Sequence, residues 1–316
     1  MIGGYEMAAE ILAITKDIER NEWLELRKQG IGGSDVSAIA GLNKWRSPIQ
    51  VYMDKLGELE ETEMNEKMYW GTRLEDLVAD EFSKRTGLKV RRRNAILRHP
   101  EYQFMLANLD RMIVGKNELL ECKTAGEYAK GEWEGEDVPA PYLLQIQHYM
   151  AVTGADACWI AVLIGGSNFI YKRIERDEEL IQYLIDIEKN FWENHVLKRI
   201  PPELDGSEAS SELLKQLHPI SEPNSEIELP SEADSMIVAI KQLKSDIDEL
   251  TLQKDSYENQ LKAMIGDFET GIASEHIVTW KSIISNRIDP ENLKKDHPDI
   301  YFKYTKPSIS RRFQIK

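Results

Sequence analysis

Cysteine is scarce: the 316 residues include two, with no Cys-x-x-Cys pair, which argues against a disulfide framework or a zinc site. The six histidines are equally scattered. Long apolar runs are also missing. The longest, Trp159 to Gly166, falls far short of the roughly 20 residues that span a bilayer. The opening MIGGYEMAAEILA shows neither a charged leader nor a cleavage signature, so a cytoplasmic protein with no membrane partner is expected. No G-x-x-x-x-G-K-[ST] sequence is present, which disfavours an ATP-driven helicase-nuclease. Basic residues are in deficit, 40 against 55 acidic for a net charge of −15, whereas phosphate binding ordinarily draws on a basic surplus. A local cluster can still hold phosphates, and Lys89-Val90-Arg91-Arg92-Arg93 is one, with a solvated strand end as its plain alternative.

What is present is enough apolar material, 41% of residues, for one large domain plus an appendage. Residues 1–200 alternate helical and strand patterns, in an α-β-β-β-α-β order with a mixed sheet in the middle, so an α/β fold is expected. The stretch MYWGTRLEDLVADEFSKRTG (68–87) reads as an amphipathic helix stopped by Gly87, and Pro141 opens another, YLLQIQHYMAVTG. Residues 201–230 are rich in Pro, Ser and Glu and read as a linker. Beyond it, in 231–316, Met236, Ile240, Leu243, Ile247, Leu250, Tyr257, Leu261, Met264 and Phe268 recur at alternating steps of three and four. Lys254 interrupts the stripe. A coiled-coil-like helix of about 35 residues is predicted, packed on a partner helix or on the body of the protein. A strand-like HIVTWKSII (276–284), a helix opened by Asp289-Pro290 and a basic tail SRRFQIK complete the chain.

The stretch NLDRMIVGKNELLECKT (108–124) reads as strand, turn, strand, yet carries Asp110, Glu121 and Lys123 among apolar neighbours. Charges so placed are costly to desolvate unless paired or bound to a metal. Residues two apart on a strand share a face, so Glu121 and Lys123 point one way and Cys122 the other, while Asp110 can lie beside them on the next strand. Two carboxylates and an ammonium suit Mg²⁺-assisted phosphodiester hydrolysis, with Glu75 on the preceding helix as a further oxygen ligand. A cross-strand salt bridge is the plain alternative.

Asp110, ten residues, then Glu121-Cys122-Lys123 resembles the PD-(D/E)xK nuclease motif. Arg27, Ile31-Gly32-Gly33-Ser34-Asp35, Gly71-Thr72-Arg73-Leu74-Glu75 and Gln145-Ile146-Gln147-His148-Tyr149-Met150 occur with it in the order seen in lambda-exonuclease-like, YqaJ-type phage recombination nucleases. The resemblance spans residues 20–200. It implies a nuclease core with a central mixed sheet flanked by helices, a toroidal homotrimer, and Mg²⁺-dependent 5′-to-3′ degradation of one strand from the ends of double-stranded DNA. It also implies 3′ overhangs for recombination by strand annealing, a RecT-type single-strand annealing protein as partner, and the host cytoplasm as location if the gene is phage-borne.

Carried onto this sequence, Asp110, Glu121, Glu75 and the backbone carbonyl of Cys122 become metal ligands, for two Mg²⁺ ions with Mn²⁺ as a substitute. Lys123 becomes the catalytic lysine. Arg27, Ser34 and Gln145 become the 5′-phosphate group of residues. Two departures stand out: Arg111 follows Asp110 where the family often has Gly, and Leu109 precedes it in place of Pro. From spacing alone Ser34 equally reads as a helix cap, Arg27 as a surface ion pair, and Gln145 with Tyr149 as helix packing. An endonuclease of the same fold and a non-catalytic DNA-binding assembly protein are the alternative functions.

Overall fold

The computed structural model describes residues 9–59 and 65–315. The N-terminal segment read as leaderless therefore lies largely outside the described residues, as does the last residue of the basic tail. The chain divides into two compact units, residues 1–217 and 218–316.

The first unit opens with β1 (Glu10–Ile14), α1 (Arg20–Lys28), β2 (Ile31–Gly32), α2 (Gly33–Ile39) and α3 (Pro48–Leu56). Then come α4 (Glu66–Thr86) and the strands β3 (Val90–Arg91), β4 (Ala95–Arg98), β5 (Met105–Asn108), β6 (Arg111–Ile113) and β7 (Glu118–Ala125). A 3₁₀ segment, Glu127–Trp133, leads to α5 (Ala140–Thr153), β8 (Ala157–Ile164), β9 (Asn168–Glu175), α6 (Glu178–Phe191) and α7 (Glu208–Leu217). The fold is mixed α/β. A five-stranded sheet has the order β3-β6-β7-β8-β9, and a four-stranded sheet the order β1-β4-β5-β2. Neighbours are antiparallel except β7 with β8 and β2 with β5.

The parallel β7–β8 pair needs a crossover, and α5 is its helix. Side chains alternate across β7: Leu120 and Cys122 pack with Val78, Ala79 and Phe82 of α4, whereas Leu119 joins the larger core that holds Ile146 and Met150 of α5. The helices stop where the sequence predicts. Asn65 caps α4 by accepting from the Met68 amide at 3.0 Å, and Gly87 and Gly154 end α4 and α5 in the left-handed conformation that glycine tolerates. Fully buried His148 ties α5 to its neighbours, donating from Nε2 to the Leu106 carbonyl at 2.9 Å and meeting Glu188 of α6 through Nδ1 at 2.9 Å.

Two readings of the sequence change here. The stretch 201–230, read as linker, contains α7, whose Ala209, Ser210 and Leu213 are buried. Asp205 organises its start, accepting from the Ser207 amide at 3.1 Å and the Ser210 hydroxyl at 2.6 Å. Ala209 and Leu213, one turn apart, are enough of an apolar face for so short a helix. In the second unit the strand expected over 276–284 is limited to β11 (Ile277–Thr279), because its partner β10 (Thr270–Ile272) offers so few pairing positions. The long helix is present as α8 (Glu232–Ile265), followed after the hairpin by α9 (Pro290–Asp296) and α10 (Pro298–Tyr304). Among the described residues of the second unit no other element covers its heptad stripe, Ile247 being 60% and Leu250 63% exposed.

Asp35 anchors the start of α2. Fully buried, it accepts from the Gly32 amide at 3.0 Å, from Lys55 at 2.6 Å and from Arg46 at 2.6 Å. Burial opposes its charge, but Lys55, Arg46 and Arg27 outweigh burial and hold its carboxyl well below the usual carboxylate range. A carboxyl lowered in the folded state stabilises the protein above its unfolded pKa of about 4, and that stability is lost as pH falls further. Asp35→Asn is therefore expected to cost about 3 kcal/mol at pH 7, since it strands Lys55, and to flatten the loss of stability on acidification. Urea unfolding across pH checks this; parallel pH profiles for the two proteins would contradict it.

Candidate active site

Asp110 sits at the break between β5 and β6, and its Oδ2 accepts from the Cys122 amide of β7 at 2.8 Å. The two strands of the predicted hairpin are thereby tied at the motif itself. Glu121 and Lys123 share the α5-facing side of β7, with Lys123 Nζ 2.7 Å from Glu121 Oε1. Gln145 completes the group from α5. Its Nε2 donates to Glu121 Oε1 at 2.8 Å and to the Tyr149 hydroxyl at 3.0 Å, while its Oε1 accepts from Lys123 at 3.1 Å. One amide side chain thus holds the acid and the base of the Glu-x-Lys triplet. The sequence reading grouped Gln145 with the phosphate residues; in the structure its bonds are to Glu121, Lys123 and Tyr149.

The charges are unevenly balanced. Burial, Glu121 and Glu75 together push the Asp110 carboxyl well above its usual range. Burial works against a charged Lys123, but Glu121 and Asp110 outweigh it and raise its pKa, so the ammonium persists at neutral pH. Burial likewise pushes the thiol of Cys122 up, which keeps it unreactive on the α4 side of the sheet.

Arg111, the departure from the expected glycine, has a defined role in this geometry. Almost fully buried, it ion-pairs with Glu75, meets Asp76 at 2.5 Å and donates to the carbonyl of Asp110 at 2.6 Å. The clamp fixes α4 against β6 and directs one oxygen of Glu75. Sequence reasoning missed this, for the partners stand 36 positions apart. A cleft of about 170 Å³ opens beside it, lined by Trp23, Glu75, Arg92, Arg93, Asn108 and Asp110 among others. Two arginines of the basic cluster therefore line the same cleft as the motif carboxylate, Arg92 ion-paired with Asp76.

Arg27 and Ser34 also meet. Arg27 Nη2 donates to Ser34 Oγ at 3.0 Å, and its guanidinium lies 4.7 Å from the Trp23 ring centre. Ser34 is not the cap of α2: Gly32 occupies that position, its amide donating to Asp35, and the Ser34 side chain is exposed toward Arg27. Gly33 connects this pair to the rest. A Cβ at Gly33 would lie 2.5 Å from the Tyr149 ring and 3.0 Å from Gln145 Cγ, so only glycine lets α2 approach α5 this closely.

Among the described residues no three His, Cys, Asp or Glu side chains form a preassembled metal cage. Mg²⁺ does not require one, as it commonly takes one or two carboxylates and keeps several waters. Asp110 and Glu121 fit that requirement: hard oxygen donors on adjoining strands, one with its charge disfavoured by the other. Glu75 is engaged with Arg111 through one oxygen.

Residues 22–156 match the family described as YqaJ-like viral recombinase domain. Over 311 residues the chain is 46% identical to the uncharacterised protein YqaJ of Bacillus subtilis (strain 168), covering 98% of each. Among solved structures it is similar to an alkaline exonuclease, LHK-Exo, from Laribacter hongkongensis, with 23% identity, 62% of this chain and 97% of that one covered, and a TM-score of 0.48. A phage-related exonuclease from Haemophilus somnus 129PT is 14% identical over 54% of this chain and 96% of its own, with a TM-score of 0.42.

A carboxyl raised in the folded state, as Asp110 is, costs stability increasingly as pH rises above its unfolded pKa of about 4 and toward the raised one. Asp110→Asn keeps an acceptor for the Cys122 amide but loses the charge. In chelator, its thermal midpoint is expected to exceed that of the unmodified protein by a few degrees at pH 7, with the gap closing at pH 4. A midpoint lowered at pH 7 would show that the Asp110 charge stabilises the fold.

Proposed function

For a chain that belongs to the YqaJ family, we propose the activity of a Mg²⁺-dependent 5′-to-3′ exonuclease on linear double-stranded DNA, leaving 3′ single strands for recombination by annealing. The observation that carries this reading is that Glu121, Lys123 and Gln145 meet at 2.7 to 3.1 Å on the α5-facing side of β7, with Asp110 bonded to the amide of Cys122 between them and Gly33 holding the helix that bears Ser34 against Gln145. A hydrolytic group with an anion-binding pair carried by the helix packed against it suits a phosphodiester close to a terminal phosphate.

In this reading Asp110, Glu121, Glu75 and the carbonyl of Cys122 hold one or two divalent cations, Mg²⁺ or Mn²⁺. When bound, the cation polarises the scissile phosphate and lowers the pKa of attacking water. The remaining work falls to the chain. Lys123, kept protonated beside Glu121, serves as a donor that orients the water or a phosphate oxygen; it is not a free base in this state. Gln145 fixes the Lys123 ammonium and the Glu121 carboxylate relative to each other. Arg27 presents a planar, permanently charged fork and Ser34 a hydroxyl to a 5′-terminal phosphate. Arg92 and Arg93 supply local positive charge in a protein acidic overall. A ring of three subunits around the duplex, and delivery of the exposed strand to an annealing protein, belong to the same reading.

Labelled duplexes test it. With Mg²⁺ the protein is expected to degrade linear but not circular DNA, from the 5′-labelled strand, and Ca²⁺ should support binding without efficient cleavage. Glu121→Gln and Lys123→Ala should each lower the rate at least about 100-fold. Cutting of circular DNA would instead indicate an endonuclease, and full activity of Glu121→Gln would remove the proposed site. Arg27→Ala should reduce the preference for 5′-phosphate over 5′-hydroxyl ends by roughly tenfold, the size of a lost charge-assisted hydrogen bond. Equal losses on both ends would assign Arg27 a structural role.

A further inference from the structure

Helix α5 reaches both sheets of the first unit. Gln145 holds Glu121 and Lys123 of the five-stranded sheet, and His148, about one turn later, donates from Nε2 to the carbonyl of Leu106 in the four-stranded sheet at 2.9 Å. Among the described residues no other side-chain hydrogen bond runs from α5 to the four-stranded sheet. Leu106 lies on β5 shortly before Asp110, and it pairs in register with Gly32, the residue at which α2 and its Ser34 begin. One imidazole therefore rides on the helix that delivers Gln145 and is bonded to the strand that delivers the motif aspartate.

The other ring nitrogen of His148, Nδ1, meets Glu188 of α6 at 2.9 Å, and both side chains are fully buried. Burial opposes a charged imidazole, but Glu188 outweighs it and raises the His148 pKa; burial also pushes the Glu188 carboxyl up, so the pair keeps one proton between its members. The second oxygen of Glu188, Oε2, is buried with no hydrogen-bond partner among the described residues. Apolar side chains of similar volume are commonly no less stable than an ion pair enclosed in this way. Fold stability therefore does not account for the pair. What apolar side chains could not supply is a directed bond to Leu106. We propose that His148, locked by Glu188, is a positioning residue for the hydrolysis assigned above: it fixes α5 against β5, and thereby sets Gln145, Glu121 and Lys123 relative to Asp110. The inference rests on that reading of the site, and the imidazole acts only through α5.

Two variants of the full chain test it. His148→Leu combined with Glu188→Met replaces the pair by apolar side chains, and its thermal midpoint is expected to match or exceed that of the unmodified protein. Its kcat on a 5′-phosphorylated linear duplex should nevertheless fall at least about tenfold with KM unchanged. Its affinity for Mn²⁺, measured by calorimetry without DNA, should weaken about tenfold, because Glu121 is no longer held in place. Glu188→Gln keeps both bonds, its amide donating to Nδ1 while Nε2 donates to Leu106, and should retain kcat and Mn²⁺ affinity close to those of the unmodified protein. A folded double variant with unaltered kcat and Mn²⁺ affinity would overturn the positioning role. So would a double variant that fails to fold, which would assign the pair to stability, or a loss in Glu188→Gln as large as in the double variant. If the unmodified protein degrades no DNA, the exonuclease reading fails, and the Mn²⁺ comparison decides the positioning role by itself.

Discussion

Glu121 and Lys123 occupy the α5-facing side of a central strand, and their charges dictate how the first unit must be built around them. Glu121 is 4% exposed, on a sheet face shared with Leu119, Ile160 and Val162. A carboxylate alone there would be costly by several kcal/mol. Lys123 offsets the charge, and Gln145 satisfies the hydrogen-bonding capacity of both. The topology makes that possible, because a parallel β7–β8 pair requires a crossover helix on one face and α5 brings Gln145 and Tyr149 over the pair. Fold and site are in this sense one arrangement.

The placing of the Arg27–Ser34 pair depends on α2. Asp35 binds the Gly32 amide and two cations at once, which sets where α2 begins, and Gly33 removes the only atom that would keep α2 off α5. Ser34 is then carried to Arg27. Arg111 acts similarly on the other side, locking α4 so that Glu75 faces the Asp110 cleft. Three separate polar anchors, each with a buried member, fix the relative positions of α2, α4, α5 and β7 around the motif residues.

Much of this was legible in the sequence for local reasons. The alternation around Glu121-Cys122-Lys123 placed two charges on one face and the thiol on the other, and Gly87 marked a helix end because so few residues tolerate the left-handed conformation there. The heptad stripe announced α8. What escaped depends on contacts between distant positions: Arg111 with Glu75, and Gln145 with Glu121 and Lys123, which are set by packing and carry no local pattern. Ser34 was ambiguous because a serine before a helical run caps more often than not, and here the glycine two places earlier takes that role. The helix α7 was hidden by a Pro/Ser/Glu composition that is usually solvated. That no other element of the second unit would cover the stripe of α8 could not be read either, since a heptad pattern requires a partner without saying where it comes from.

The central claim is that Asp110 and Glu121 form a cation site whose excess negative charge is only partly met by the chain's own residues. Calorimetric titration of the full chain with Mn²⁺, without DNA and in two buffers of different ionisation enthalpy, tests it most directly. The account predicts saturable binding accompanied by proton release, as the ion displaces a proton from the raised Asp110 carboxyl into the buffer, with both signals lost in Asp110→Asn combined with Glu121→Gln. Equal Mn²⁺ binding by that double variant would contradict it.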